Sequence, residues 1–225
     1  MRFSVFTTIM ALALTLTSAT PTRNHYGCDV SHDVLDLPPT QSNISIPNET
    51  RPKYITLAVG TQNYTCTNSG TYSAAGAVSI LVDISCLYKS DPKLFEDVQN
   101  TAYNLFSRSG NGMPTLNQVE ALIGHRPYIL GNHYFIPWDG AIAPYFDFRS
   151  QEGGDEAYMV GQLVGGITSP EGSQNIDWLQ LASIDGELAK YVFRVDTQGG
   201  QPPDSCDKEG HNITVPYTAK YWFFK

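Results

Sequence analysis

A short segment near the middle of the chain carries one histidine and two aspartates that could do chemistry: His133, Asp139 and Asp147. A histidine with carboxylates can bind a metal or act in acid and base catalysis. The spacing matches no established metal-ligand signature. Strand alternation would place His133 on one face with Phe135, as in a core histidine held by a backbone carbonyl. We therefore predict no metal and a turn at Asp139, and keep a metal-assisted enzyme around the three residues as the alternative.

Aromatic side chains are dense in the same stretch. Flat rings exposed on one face of a sheet can stack on sugar rings, because they offer apolar area with polar tips. Alternation along a strand would bury about half of such rings in a core. The segment contains Tyr134, Phe135, Trp138, Tyr145, Phe146 and Phe148. We take Tyr134, Trp138 and Tyr145 as the candidate binding platform, with cell-wall polysaccharide or a host surface as the partner.

Signatures of several enzyme classes are absent from the sequence. A serine hydrolase would place its nucleophile in a GxSxG turn, and thiol redox or zinc chemistry would use CxxC pairs. A nicotinamide enzyme would place GxGxxG between a strand and a helix. The nearest match begins at Gly110, follows a predicted helix and contains Pro114. We predict no cofactor, and favour a binding or structural protein over an enzyme.

Length and composition indicate a folded chain, long enough for one large domain or two small ones, and disfavour binding to nucleic acid. The 225 residues are 41% hydrophobic and 12% aromatic, which suffices for a sizeable core. The net charge of −8 disfavours binding to phosphate backbones, which requires a basic surface.

The start of the chain has the pattern of a secretory signal peptide. Arg2 is followed by an apolar run over 5–16, which is too short to span a membrane, and cleavage is expected after Ala19. Four cysteines follow, and they allow three pairings in an oxidising compartment. Glycosylation sequons begin at Asn43, Asn48, Asn63 and Asn212. These features predict a secreted glycoprotein, extracellular or in the cell wall, with no membrane contact after cleavage.

Hydrophobic periodicity predicts an all-β fold. Residues 20–52 are rich in proline and read as an extended arm, and 53–225 read as a single β-rich domain. Short alternating segments separated by turn residues indicate a β-sandwich or barrel. One such segment alternates Phe193 and Val195 with Arg194 and Asp196, typical of a strand buried on one face. Helical spacing over about 91–124 predicts an inserted helical hairpin.

Four segments resemble a family of domains of unknown function found in secreted fungal proteins and in some bacterial ones. They are GNHYFIPWDG at 131–140, DWLQL at 177–181, RVDTQGGQPP at 194–203 and VPYTAKYWF at 215–223. Fungal members are often labelled malate dehydrogenase, an activity that the missing GxGxxG makes unlikely here. The resemblance covers roughly 50–225 and implies that Cys66 pairs with Cys206, which leaves Cys28 to pair with Cys86.

Overall fold

Eight antiparallel strands form a closed barrel in the computed structural model, which describes residues 27–108, 116–123 and 128–225. Each strand pairs with the next along the chain, and β8 pairs with β1. The strands are β1 (Pro52–Cys66), β2 (Tyr72–Asp83), β3 (Ile129–Trp138), β4 (Ala141–Asp147), β5 (Tyr158–Ile167), β6 (Trp178–Asp185), β7 (Tyr191–Gly199) and β8 (Asn212–Phe224). The helices are α1 (Leu87–Ser90), α2 (Pro92–Arg108), α3 (Leu116–Ile123) and α4 (Arg149–Glu152).

This architecture confirms the all-β prediction and decides for a barrel over a sandwich. The helical insertion is also present, since α2 and α3 fall within the predicted range and contact each other. The predicted signal peptide and the first part of the arm lie outside the described residues. The arm from 27 to 51 contains neither helix nor strand. Within the described residues, no helix is long and apolar enough to cross a membrane.

Strand alternation produces a core inside the barrel and a second large core on its outer surface, besides a small outer cluster around Tyr145 and Val160. On β1, Tyr54 and Ala58 face the interior, whereas Ile55, Leu57 and Val59 face outward. The outward side chains are buried because α2, α3 and the arm pack over them. Both faces of β1 and β8 are therefore largely buried, as expected of strands covered on each side.

The contact between α2 and β8 includes a buried charge. The side chain of Lys220 is only 2% exposed, and its Nζ lies 2.8 Å from Oδ2 of Asp196. It also lies 4.6 Å from the ring centroid of Phe95 on α2. A paired lysine beneath a helix is tolerated because its counter-charge and an aromatic face replace water.

Two strands are longer than the sequence predicts. Because a glycine interrupts the alternating pattern there, the sequence predicts that the first strand ends at Gly60, but β1 continues through it to Cys66. A Cβ at Gly60 would lie 2.0 Å from the carbonyl oxygen of Val78 on β2, so glycine serves close strand approach there instead of a break. Likewise, 212–217 and 219–224 read from the sequence as two separate strands, but they form the single strand β8.

Two disulfides bond the outer segments to the barrel. They join Cys28 to Cys86 and Cys66 to Cys206, which are the pairs that the resemblance implies. The first attaches the arm to the start of α1, and the second attaches the end of β1 to the loop before β8. Among the sequon asparagines, Asn63 on β1 is half-buried and the other three are exposed.

Candidate functional site

The barrel opens on one side because β4 and β5 separate. These strands pair only at Tyr145–Val160, Phe146–Met159 and Asp147–Tyr158. Beyond these pairs β4 stays bonded to β3 and β5 to β6, so two hairpins diverge. Between them lies a cavity of about 570 Å³, lined by 141–144 of β4 and 161–163 of β5. We call it the β4–β5 cleft.

The walls of the β4–β5 cleft are mainly apolar. Nine large hydrophobic side chains are exposed among the described residues, and four of them line this cleft. These four are Trp138, Ile142, Leu163 and Ile184, with exposed fractions of 36–58%. Scattered exposed hydrophobic residues are ordinary, but a group around a cavity marks a binding surface.

His133 lies at the floor of the cleft, inside the barrel. It is 2% exposed, and its ring stacks on Phe146 with centroids 4.3 Å apart. Nδ1 lies 3.0 Å from the carbonyl oxygen of Tyr145. A carbonyl can only accept, so Nδ1 carries the hydrogen and Nε2 of the neutral ring is an acceptor. Burial lowers the pKa of His133 to about 4, so the imidazole is neutral near pH 7.

Arg194 lines the same floor from β7. In the barrel register it lies opposite Leu179 on β6 and Tyr221 on β8, and all three line the cleft. Nε and Nη2 of Arg194 donate hydrogen bonds of 3.1 and 2.9 Å to the carbonyl oxygen of Asp177. After burial, the charge of Arg194 is a further influence that lowers the pKa of His133. The cleft therefore holds a cation beside a neutral imidazole.

Hydroxyl groups continue the polar floor into the barrel interior. The hydroxyl of Tyr221 lies 3.4 Å from that of Tyr217, which donates to Oγ of Ser79 at 3.2 Å. Tyr217 and Tyr221 are almost fully buried. The β4–β5 cleft thus combines apolar walls with a few polar groups at its floor, which is the combination that orients ligands in binding sites.

The structure separates the three aromatic residues of the predicted platform. Tyr134 and Tyr145 pack with Tyr158 on the outer surface of the barrel. The ring centroid of Tyr145 lies 5.1 Å from that of Tyr134 and 5.4 Å from that of Tyr158. Tyr145 is only 7% exposed, and burial raises its pKa to about 12. Trp138 lies at the end of β3 and lines the cleft instead.

The predicted histidine and aspartates do not form one cluster. His133 faces the interior, whereas Asp147 lies on the outer surface and bonds Arg149 at 2.7 and 2.9 Å. Hydrogen bonds from Arg149 hold the pKa of Asp147 below its usual range. Asp139 sits in the exposed turn between β3 and β4, at the rim of the cleft. Within the described residues, no three histidine, cysteine or acidic side chains are grouped to hold a metal.

Sequence reasoning missed Arg194 and Gly161. Alternation assigned Arg194 to the polar face of a half-buried strand, but in a closed barrel that face points into the interior. The available signal was that Arg194 begins a segment that carries the family resemblance. Gly161 lines the cleft, and a Cβ there would lie 3.3 Å from Cγ of Pro144 on β4. Nothing in its local sequence distinguishes Gly161 from a turn glycine.

Comparison with known proteins gives one match. A family model described as "Protein of unknown function (DUF3455)" matches residues 47–225. No curated protein and no solved structure matches the chain.

Proposed function

The chain belongs to the DUF3455 family of proteins of unknown function, and from its geometry we propose that it is a non-catalytic binding protein that holds a small apolar molecule in the β4–β5 cleft. The observation that carries this proposal is the split between β4 and β5, which opens the barrel interior to solvent along apolar walls. Closed eight-stranded barrels have interiors just wide enough to be filled by side chains or to hold one small ligand.

The size and lining of the cleft support this proposal. A volume of about 570 Å³ falls within the range of small-molecule sites, roughly 300–1,000 Å³. Apolar side chains exposed at the mouth would be covered by a bound ligand, and covering them contributes about 25 cal/mol per Å². The metal-assisted alternative has no comparable support in the described structure, because His133 and Asp147 face opposite sides of the sheet.

We further propose that the protein acts outside the cell as a glycoprotein. Two disulfides support an oxidising compartment, and the sequence begins with a signal-peptide pattern. Three of the four sequon asparagines are exposed, as attachment of a glycan requires. Contact with cell-wall polysaccharide or a host surface stays a prediction, and Trp138 at the rim of the cleft is its best-placed residue.

Binding of the neutral dye Nile red tests the proposal, because its fluorescence rises in apolar surroundings. The blocking variant is Gly161→Leu, whose side chain would start 3.3 Å from Pro144 across the cleft and 3.5 Å from Leu181 on the neighbouring strand β6. The matched control is Gly154→Leu, because a Cβ at Gly154 meets no atom within 4 Å. We expect wild type and the control to bind the dye and the blocking variant to lose at least roughly tenfold in affinity, about 1.4 kcal/mol.

A second pair of variants guards against misfolding of the blocking variant. Leu163 and Val164 are adjacent on β5 and similarly exposed, at 58% and 53%, but only Leu163 lines the cleft. Leu163→Asp should weaken dye binding, and Val164→Asp should leave it unchanged. Failure of wild type to bind Nile red, or equal effects within both pairs, would overturn the proposal.

A further inference from the structure

We propose that the ligand of the β4–β5 cleft is an apolar molecule with a single carboxylate, which enters head first and pairs with Arg194. This inference rests on the proposed function and names the chemical class of the ligand. It depends on the arrangement of charge in the cleft: a cation at the floor, apolar walls and an acidic residue at the rim.

Arg194 has free hydrogen-bonding capacity at the floor of the cleft. Its guanidinium carries five N–H groups, and two of them bond the carbonyl oxygen of Asp177. Three remain for another acceptor. The two bonds also hold the planar group in place, so a ligand does not have to order a long flexible side chain.

The charge of Arg194 has no carboxylate partner within the described part of the chain. The ion pairs there join Lys89 to Asp33, Arg149 to Asp147 and Lys220 to Asp196. Arg194 is half-buried, and an anion bound against it would form charge-assisted hydrogen bonds, which are stronger than neutral ones. A carboxylate fits this position because two parallel N–H···O bonds match the arginine fork.

The remaining polar groups favour one charge on the ligand and fix its direction. His133 is neutral, and Nε2 can only accept a hydrogen bond, so it offers no second positive charge. Asp139 lies in the turn at the rim, where it would repel a negative group at the outer end of the ligand. An acid with its head inward and a neutral apolar body along the walls meets both conditions.

Displacement of Nile red by decanoate and by 1-decanol tests the charge directly, since the two share an apolar chain and differ in the head group. Near neutral pH, we expect decanoate to bind wild type roughly tenfold to a hundredfold more tightly than 1-decanol, as a charged hydrogen-bonded pair allows. Arg194→Gln should abolish this preference and leave affinity for 1-decanol unchanged. Arg194→Lys should retain part of it, and Arg149→Gln, which alters an outer-surface arginine, should retain all of it.

The outcomes separate this inference from the proposed function. If Nile red binds but both probes displace it equally well, the anionic ligand is refuted and the apolar cleft stands. A preference for decanoate that survives in Arg194→Gln would place the head group elsewhere and refute the role of Arg194. If Arg194→Gln does not fold, the comparison of decanoate with 1-decanol in wild type, with Arg194→Lys beside it, decides. Absence of Nile red binding would overturn the proposed function itself.

Discussion

The neutral histidine at the floor of the cleft makes stability depend on pH in a predictable way. The pKa of His133 falls from 6.5 to about 4 on folding, chiefly because burial disfavours the imidazolium. Between these values the unfolded chain binds a proton that the folded chain does not bind. Lowering the pH therefore favours unfolding, and the contribution of His133 to stability is lost as the pH falls from 6.5 through about 4.

The magnitude follows from the two pKa values. Between about pH 7.5 and about pH 4.5, this linkage removes about 2.5 kcal/mol from the free energy of unfolding. His133→Phe keeps an aromatic ring in the stack on Phe146 but removes the titration. Its lost hydrogen bond to Tyr145 adds an offset that is the same at both pH values.

Urea unfolding of wild type and His133→Phe at both pH values measures the effect. The quantity of interest is the free energy of unfolding of wild type minus that of His133→Phe. It should be about 2.5 kcal/mol smaller at the lower pH than at the higher pH. All other titrating groups are shared and cancel in the comparison. Parallel pH dependence in the two proteins would refute the reasoning, because it would mean that His133 titrates alike in the folded and unfolded chains.

Two further predictions concern α2 and the rim of the cleft. Asp196→Asn should lower the free energy of unfolding, measured in urea, by about 3 kcal/mol, because it leaves the buried charge of Lys220 uncompensated. Lys220→Met should lower it by less, because it removes the buried charge itself. A larger loss in Lys220→Met would contradict this account. Trp138→Ala should weaken retention on chitin, β-glucan or whole wall material, measured by pull-down with an unchanged circular dichroism spectrum; equal retention would remove Trp138 from that contact.

The elements of the fold were largely predictable because their signals are local. Apolar residues recur at helical spacing along α2, and alternation marks the strands β3 to β7. The limits of β1 and β8 were not predictable, because the close approach at Gly60 depends on a neighbouring strand. Closure into a barrel is also nonlocal, since it requires β8 to return to β1.

The cleft itself has no local signature. It exists because β4 and β5 pair over three residues and then separate, and pairing register cannot be read from either strand alone. The position of Arg194 is unpredictable for the same reason, because the face of β7 that carries it points into the interior only once the barrel has closed. His133 was correctly expected to be held by a backbone carbonyl, but its position at the floor of a cavity followed from tertiary structure.

Hydrogen–deuterium exchange of the wild-type protein, with and without saturating Nile red, tests the central claim most directly. The edges of β4 and β5 that face each other across the cleft lack mutual backbone pairing, so their free amides should exchange quickly. We predict that the dye slows exchange in 138–144 and 160–164, with little change in β1 and β8. Protection confined to other segments, or none at all under conditions where the dye binds, would contradict the assignment of the β4–β5 cleft as the binding site.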